Sequence, residues 1–111
     1  MLIISSLTFV NHAIAFEELV IPRSVSGDKG TYFLMNATKK GSIIETLHKR
    51  IGVDSIGYSR VQIDCKKRII RELGYTDISP DKMIIKPTKW FELVEGSSKS
   101  DLVNFTCKKF S

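Results

Sequence analysis

Cysteine and histidine are scarce in this chain of 111 residues, which contains two of each. Two cysteines cannot form a four-cysteine zinc ribbon, and His12 and His48 lie too far apart to complete such a site. Glycine and proline are also few, at seven and three residues, which excludes a collagen-like chain. No apolar run of about 18 residues occurs, so we expect no ordinary membrane-spanning helix. What remains is a globular composition of a length that fits one domain.

The first 15 residues have the pattern of a secretory signal peptide. An apolar run from Leu2 to Val10 is followed by Ala13-Ile14-Ala15, which places small residues at the −3 and −1 positions of a cleavage site after Ala15. No lysine or arginine precedes the apolar run, and a buried first strand is the alternative interpretation. Cleavage leaves a single domain of residues 16–111. It keeps the whole net charge, because the removed segment carries no charged residue.

The middle of the chain predicts an antiparallel sheet. β-Branched and aromatic residues lie between glycine-rich or lysine-rich turns, which is typical of strands and hairpins. The strands are expected at residues 31–38, 42–51, 58–65 and 68–75. In the second, Ile43, Leu47 and Ile51 share one parity; in the third, Val61 and Ile63 do. A short helix over residues 66–73 is an alternative to the hairpin. Residues 83–85 favour one further short edge strand.

The last segment predicts a helix. Ser98 to Asp101 has the spacing of a capping box. Val103, Thr106, Cys107 and Phe110 then recur on one helical face. Lys108 and Lys109 follow in the last turn, where the helix dipole favours cations. The expected fold class is therefore α+β, with an antiparallel sheet of about four to six strands and a C-terminal helix packed on one face.

The two cysteines are expected to form a disulfide. Cys65 lies on the inward parity of its strand, and Cys107 lies on the inward face of the helix. A bond between them closes the loop from Cys65 to Cys107, and in the chain-entropy model a loop of that length stabilises a domain by roughly 3–4 kcal/mol. The alternative is a reactive or metal-binding pair of thiols. No Cys-X-X-Cys motif supports that alternative, and export would allow a disulfide.

The order of motifs around these cysteines resembles a known family. A strand ends in Asp64-Cys65 and leads through a basic turn to a return strand that carries arginine. Trp90, then Gly96-Ser97-Ser98, then the segment from Leu102 to Cys107 follow in that order. With these motifs the chain resembles the surface-adhesin protein E family of Gram-negative bacteria over residues 31–109.

The resemblance implies an exported protein whose antiparallel sheet is packed by a C-terminal helix. It also implies that a homodimer can form through the sheet, for which an unpaired edge at Thr31–Thr38 is the candidate interface. Members named as adhesins bind host matrix and serum proteins. This chain differs from them in lacking a lipid-attachment cysteine and a glycine-rich stretch between Tyr75 and Trp90. These differences favour a soluble periplasmic protein over surface display.

Lysine and arginine outnumber aspartate and glutamate by 17 to 12, and the excess gathers near the predicted hairpin. The candidate binding patch consists of Tyr58, Arg60, Lys66, Lys67, Arg68 and Arg71, with Tyr75 near a strand end. Asp64 and Glu72 are interpreted as partners of these arginines on an exposed face. The patch is either a solvated surface or the site of an anionic partner, such as a glycan, an acidic protein surface, lipopolysaccharide or a phospholipid headgroup. Export argues against nucleic acid.

No catalytic motif is evident. His48 is the single histidine of the expected mature domain, and no Gly-X-Ser-X-Gly elbow, phosphate loop or metal-ligand cluster accompanies it. We therefore expect no enzyme, no cofactor and no metal. The main hypothesis is an exported binding protein, adhesin-like, for a protein or an anionic ligand. One alternative is a small periplasmic inhibitor or immunity protein that blocks an exported toxin or hydrolase. Another is a small hydrolase that requires His48.

Overall fold

The computed structural model describes residues 13–14 and 17–111. The predicted signal peptide lies outside these residues, except for Ala13 and Ile14. The expected α+β fold is confirmed, with an antiparallel sheet and one helix. The strands are β1 (Ala13–Ile14), β2 (Leu19–Val20), β3 (Thr31–Lys40), β4 (Ile43–Ile51), β5 (Ile56–Asp64), β6 (Ile69–Thr76), β7 (Ile84–Ile85) and β8 (Phe91–Glu92). A 3-10 turn (Pro80–Lys82) precedes β7, and the helix α1 spans Ser98–Phe110.

Four long strands, β3 to β6, form the centre of the sheet as an antiparallel meander. The turn between β3 and β4 contains Gly41 with φ at +62°, a conformation that costs glycine little. The turn after β5 closes when the N–H of Arg68 donates to the carbonyl of Asp64 at 2.7 Å. The hairpin interpretation of residues 58–75 is therefore right, and the helical alternative is wrong.

Short strands cover both sides of this meander. β7 and β8 pair with β6, which confirms the short edge strand expected near Ile84. On the other side, β3 pairs with β2 at Leu34 and with β1 at Ala37. The prediction of an unpaired edge at Thr31–Thr38 is wrong for the full chain, because β2 pairs with Phe33 and Leu34 and β1 pairs with Ala37 and Thr38. Cleavage after Ala15 would remove β1 and leave Ala37 and Thr38 open. Edge strands of two residues give a second copy little length to pair with.

The hydrophobic core lies between one face of the sheet and α1. The buried side chains of the core cluster are Ile21, Leu34, Val61, Ile63, Ile70, Leu102 and Val103. Ile44 and Thr46 supply the buried residues of β4 on the same parity as this face. The apolar parity visible in the sequence, that of Ile43 and Leu47, faces the opposite side of the sheet. Because β4 is central, residues on both of its faces are shielded by neighbouring strands.

The start of α1 differs from the predicted capping box by one residue. The N-cap is Ser97, whose hydroxyl accepts a hydrogen bond from the N–H of Ser100 at 3.1 Å. Asp101 caps nothing. Its Oδ2 instead accepts from the Arg23 guanidinium at 2.7 Å and from the N–H of Ser24 at 3.0 Å. Asp101 therefore attaches the segment before β3 to the helix.

The disulfide prediction is confirmed. Cys65, directly after β5, is bonded to Cys107 in the last turns of α1, and their Cα atoms are 5.7 Å apart. Both cysteines border the core cluster. The bond therefore ties the end of the helix to the end of the sheet that carries the turns after β3 and β5.

Candidate functional site

Two basic turns lie side by side at one end of the sheet. Lys39 and Lys40 close β3, while Lys66, Lys67 and Arg68 follow β5. The strand register places both turns at the same end, because Ile43 pairs with Asp64. The N–H of Cys65 also donates to the carbonyl of Ser42 at 3.1 Å, which joins the two turns directly.

The helix brings two further lysines to this end. Lys108 and Lys109 directly follow Cys107, which is held against Cys65 by the disulfide, and they also line a groove along α1 with Pro22 and Asp101. A depression of about 390 Å³ is lined by Lys39, Lys66 and Ser111, so the two turns and the end of the helix border one surface. We call this surface the basic end. It is defined by seven side chains: Lys39, Lys40, Lys66, Lys67, Arg68, Lys108 and Lys109.

The cations of the basic end form no ion pair within residues 17–111, although Glu92 and Glu95 line a depression together with Lys67 and Arg68. The ion pairs that the structure describes are formed by five other cations, namely Arg23, Lys49, Arg50, Arg60 and Lys99. Arg68 has φ at +57°, and its guanidinium donates to the side-chain oxygen of Asn104 on α1. Six of the seven residues are exposed, and Lys39 is half-buried. The positive charge of this end is therefore available to a ligand.

Asp64 is the acidic residue nearest the basic turns in sequence, and its carboxylate is occupied. Its Oδ1 accepts hydrogen bonds from the backbone N–H groups of Lys66 and Lys67, both at 3.0 Å. Glu72 lies on the helix side and forms an ion pair with Lys99 at 3.0 Å. The interpretation of Asp64 and Glu72 as partners of the hairpin arginines is wrong. Turn closure and the approach of the helix determine their partners instead.

The structure divides the candidate patch predicted from sequence. Lys66, Lys67 and Arg68 belong to the basic end, whereas Arg60 and Arg71 lie on the sheet face opposite α1. Arg60 pairs with Glu45 at 3.5 Å. Arg71 donates to the side chain of Gln62 at 2.8 Å, and its guanidinium stacks 5.1 Å from the Trp90 ring centre. These two arginines are already satisfied by cross-strand neighbours.

The two tyrosines also lie away from the basic end. Tyr58 pairs with Lys49 and Thr76, near the opposite end of the hairpin from its turn. Tyr75 pairs with Ser59, and its hydroxyl lies close to Gly57. The expected basic patch with an aromatic edge therefore does not form. The two tyrosines lie at the open end of the hairpin, whereas Lys66 and Lys67 lie at its turn, so most of the hairpin's length separates them.

His48 lies beneath the start of the helix. Its Nδ1 is buried and has no hydrogen-bond partner within the described residues. Burial, together with the nearby charge of Lys99, lowers the pKa of His48 to about 4. The nearby carboxylate of Glu72 opposes this shift, but the imidazole is still neutral at pH 7. His48 is half-buried on the same face of β4 as Ile44 and Thr46, and this position gives no support to the hydrolase hypothesis.

A cluster of charges attaches the loop before β3 to β4 and to α1. Asp28 pairs with Arg50 at 2.7 Å and with Arg23 at 3.2 Å, and Arg23 also pairs with Asp101. The Tyr32 ring lies near both guanidinium groups, at 5.1 and 5.8 Å. Burial opposes ionisation of Asp101, but the hydrogen bonds from Arg23 and Ser24 keep its pKa below the ordinary value. Because the charges balance locally, this cluster is structural.

The end of the sheet opposite the basic end is apolar. We call it the distal end and define it by Ile51, Val53, Ile56 and Ile78. Val53 is 76% exposed and Ile78 is 70% exposed. They border an open cleft of about 700 Å³ together with Asp54 and Asp77. The charged residues of that cleft are acidic, in contrast to those of the basic end.

Sites of other classes are not seen in the described part of the chain. No group of three or more metal-ligating side chains occurs among residues 17–111. No helix described there has both the length and the apolar character to cross a bilayer. Comparisons of the chain with protein-family models, curated proteins and solved structures give no match.

Sequence reasoning missed four members of the basic end. Lys39 and Lys40 were assigned to a turn, and Lys108 and Lys109 to the favourable end of the helix dipole. Two signals could have linked them to Lys66 and Lys67. Adjacent hairpins of similar length place alternate turns at the same end of a meander, and a disulfide fixes the neighbours of both its cysteines.

Proposed function

We propose that this protein is an exported binding protein, without catalytic activity, whose basic end recognises an anionic partner. The observation that carries the proposal is the convergence of seven cations from three chain segments, none of which forms an ion pair within residues 17–111. Clustered positive charge attracts anions and raises their local concentration and association rate. The basic end meets these conditions, whereas Arg60 and Arg71 have partners already.

Export is supported by the disulfide. Cys65–Cys107 ties the helix to the sheet, and such bonds persist in oxidising compartments. The signal-peptide pattern of residues 1–15 leads to the same proposal. The ligand is then an anion met outside the cytoplasm, presented by the envelope or by a host surface. Adhesion, as the family resemblance implies, is one biological use of such binding.

Retention on immobilised heparin tests the proposed function. The native chain should elute at high salt, because binding to a polyanion releases counterions. A Lys108→Gln/Lys109→Gln variant removes two cations from the basic end, and the slope of log affinity against log salt should fall by about two. Unchanged elution of this variant would contradict the proposal.

The matched control is Lys29→Gln/Lys82→Gln. It lowers the net charge by the same amount, and both lysines are exposed and lie outside the basic end. We expect its elution to stay close to that of the native chain. Equal losses from the two variants would mean that net charge alone determines retention, and the basic end would then not be a site.

Inhibition of an exported toxin or hydrolase is a second candidate function, favoured by the distal end. Its exposed Val53 and Ile78 give a partner protein an apolar surface to bury. Crosslinking in envelope extract followed by mass spectrometry tests this candidate. A complex with a hydrolase that the native chain forms and Val53→Asp loses would support inhibition. A complex that survives this change, or the absence of any complex, would contradict it.

A further inference from the structure

The arrangement of the seven cations points to a particular class of anionic partner. Resting on the proposed function, we propose that the basic end docks on the anionic headgroups of a lipid membrane, with the strands pointing away from the surface. The site is the end of the sheet together with the end of α1, and its ligand is the phosphate of anionic phospholipids.

The basic end extends in two directions. The turn after β3 and the turn after β5 are separated by two strand spacings, about 10 Å. The end of α1 adds a third point in a second layer, fixed by the disulfide between Cys65 and Cys107. The three segments are therefore spread over an area rather than along one line. Cations spread over such an end match a flat array of headgroups better than a single linear polymer.

The lysines of the basic end are exposed on both layers of the fold. Lys40, Lys66 and Lys67 are exposed on one layer, and Lys108 and Lys109 are exposed on the other. A lysine ammonium on a flexible four-carbon stem reaches a headgroup without a preformed pocket. Each cation near an anionic bilayer contributes about 1 kcal/mol, which corresponds to about fivefold in affinity.

The distal end differs from the basic end in its charge. The exposed apolar residues Val53 and Ile78 lie at the distal end, and the charged residues that line their cleft are Asp54 and Asp77. Arg50, at the same end of β4, is paired with Asp28. An anionic membrane repels those carboxylates, so the distal end is a poor contact for the same lipids. The difference in charge therefore selects one orientation. The strands of nine or ten residues hold the distal end about 30 Å from the surface.

Cosedimentation with vesicles tests the inference. The probes are vesicles of equal parts phosphatidylglycerol and phosphatidylcholine, compared with pure phosphatidylcholine, at about 50 mM and about 500 mM salt. The native chain should bind only the anionic vesicles, and only at the lower salt. Lys108→Gln/Lys109→Gln should lose about 25-fold in partition, and Lys29→Gln/Lys82→Gln less than twofold. Binding to both lipid mixtures, or equal loss in both variants, would overturn the inference.

Orientation is a separate readout on the native chain. Paramagnetic headgroup lipids in anionic bicelles should broaden the amide signals of residues 40–42, 65–68 and 108–111, and leave those of residues 52–55 sharp. Equal broadening at both ends would overturn docking through the basic end.

The heparin experiment separates this inference from the proposed function. If anionic vesicles do not bind but heparin retention still depends on Lys108 and Lys109, the membrane inference fails and the proposed function stands. If neither probe binds, both fail.

Discussion

The two ends of the sheet differ in how they are built. The basic end joins two tight turns and a helix terminus through one covalent bond, with the cations exposed around it. The distal end has a loop with exposed Val53, no disulfide among the described residues, and a cleft whose charged lining residues are Asp54 and Asp77. At the basic end, strand register and a disulfide gather residues that are far apart in sequence. A basic surface therefore arises here without any local sequence motif.

Removing the disulfide should have the largest effect and should act on the basic end. Cys65→Ser/Cys107→Ser is expected to lower the free energy of unfolding by roughly 3–4 kcal/mol, because the unfolded chain loses its closed loop. It should also weaken heparin retention, since Lys108 and Lys109 are no longer held beside the turns. Urea denaturation and salt elution measure the two effects. A stable variant with native retention would contradict the assembly of this end by the disulfide.

Low pH should lower the free energy of unfolding, because His48 lies half-buried between the two ends. The pKa of His48 is about 4 in the folded protein and 6.5 in the reference state. Between these values the unfolded state binds a proton that the folded state does not. The contribution of neutral His48 to the free energy of unfolding should therefore be fully present above pH 6.5. The free energy of unfolding should fall by about 2–3 kcal/mol as the pH drops towards 4.

Urea denaturation at a series of pH values checks the His48 prediction. His48→Gln is the comparison variant, because it removes the titrating group and keeps a polar side chain. Its free energy of unfolding should change much less between pH 6.5 and 4.5 than that of the native chain. Identical pH profiles for the two proteins would show that His48 does not carry this dependence.

The charge cluster on the loop before β3 gives a third comparison with the basic end. Arg23→Met leaves the buried Asp101 carboxylate with the N–H of Ser24 but without its cation. The loss of a partner for a buried charge should cost about 2–3 kcal/mol in the free energy of unfolding. Thermal or urea unfolding measures it. Retention on heparin per folded molecule should not change, and a large change would extend the anion site beyond the basic end.

The smallest effect is expected from the distal end. Val53→Ser/Ile78→Ser changes two exposed side chains, and such substitutions usually alter stability by less than about 0.5 kcal/mol. Heparin and vesicle binding should also stay the same. Urea denaturation and vesicle cosedimentation check both expectations. A loss of vesicle binding would mean that the distal end touches the membrane, which removes the functional difference between the two ends.

Local patterns in the sequence carried much of the fold. Alternation in residues 58–65 and the periodicity from Val103 to Phe110 identified the core faces of β5 and α1, and so the disulfide. The edge at β3 was missed because the short strands β1 and β2 pair with it, and no local pattern reveals such pairing. The N-cap was displaced by one residue because Ser97 and Ser98 are equally good capping residues, and Asp101 has a distant partner in Arg23.

The candidate site was less accessible from the sequence. Proximity along the chain grouped Lys66 to Arg68 with Arg60 and Arg71, although strand alternation sends the latter to another surface. The missing members, such as Lys40 and Lys109, are separated from the hairpin turn by strand or helix. Only the register of the meander and the disulfide bring them together, and both are long-range features.

A heparin oligosaccharide titration followed by NMR on the native chain tests most directly whether the basic end acts as one site. We expect amide shifts at residues 39–43, 65–68 and 107–111, all following one binding curve and disappearing at high salt. Shifts confined to one of the three segments, or shifts centred on Arg60 and Arg71, would contradict a single anion-binding surface at the basic end.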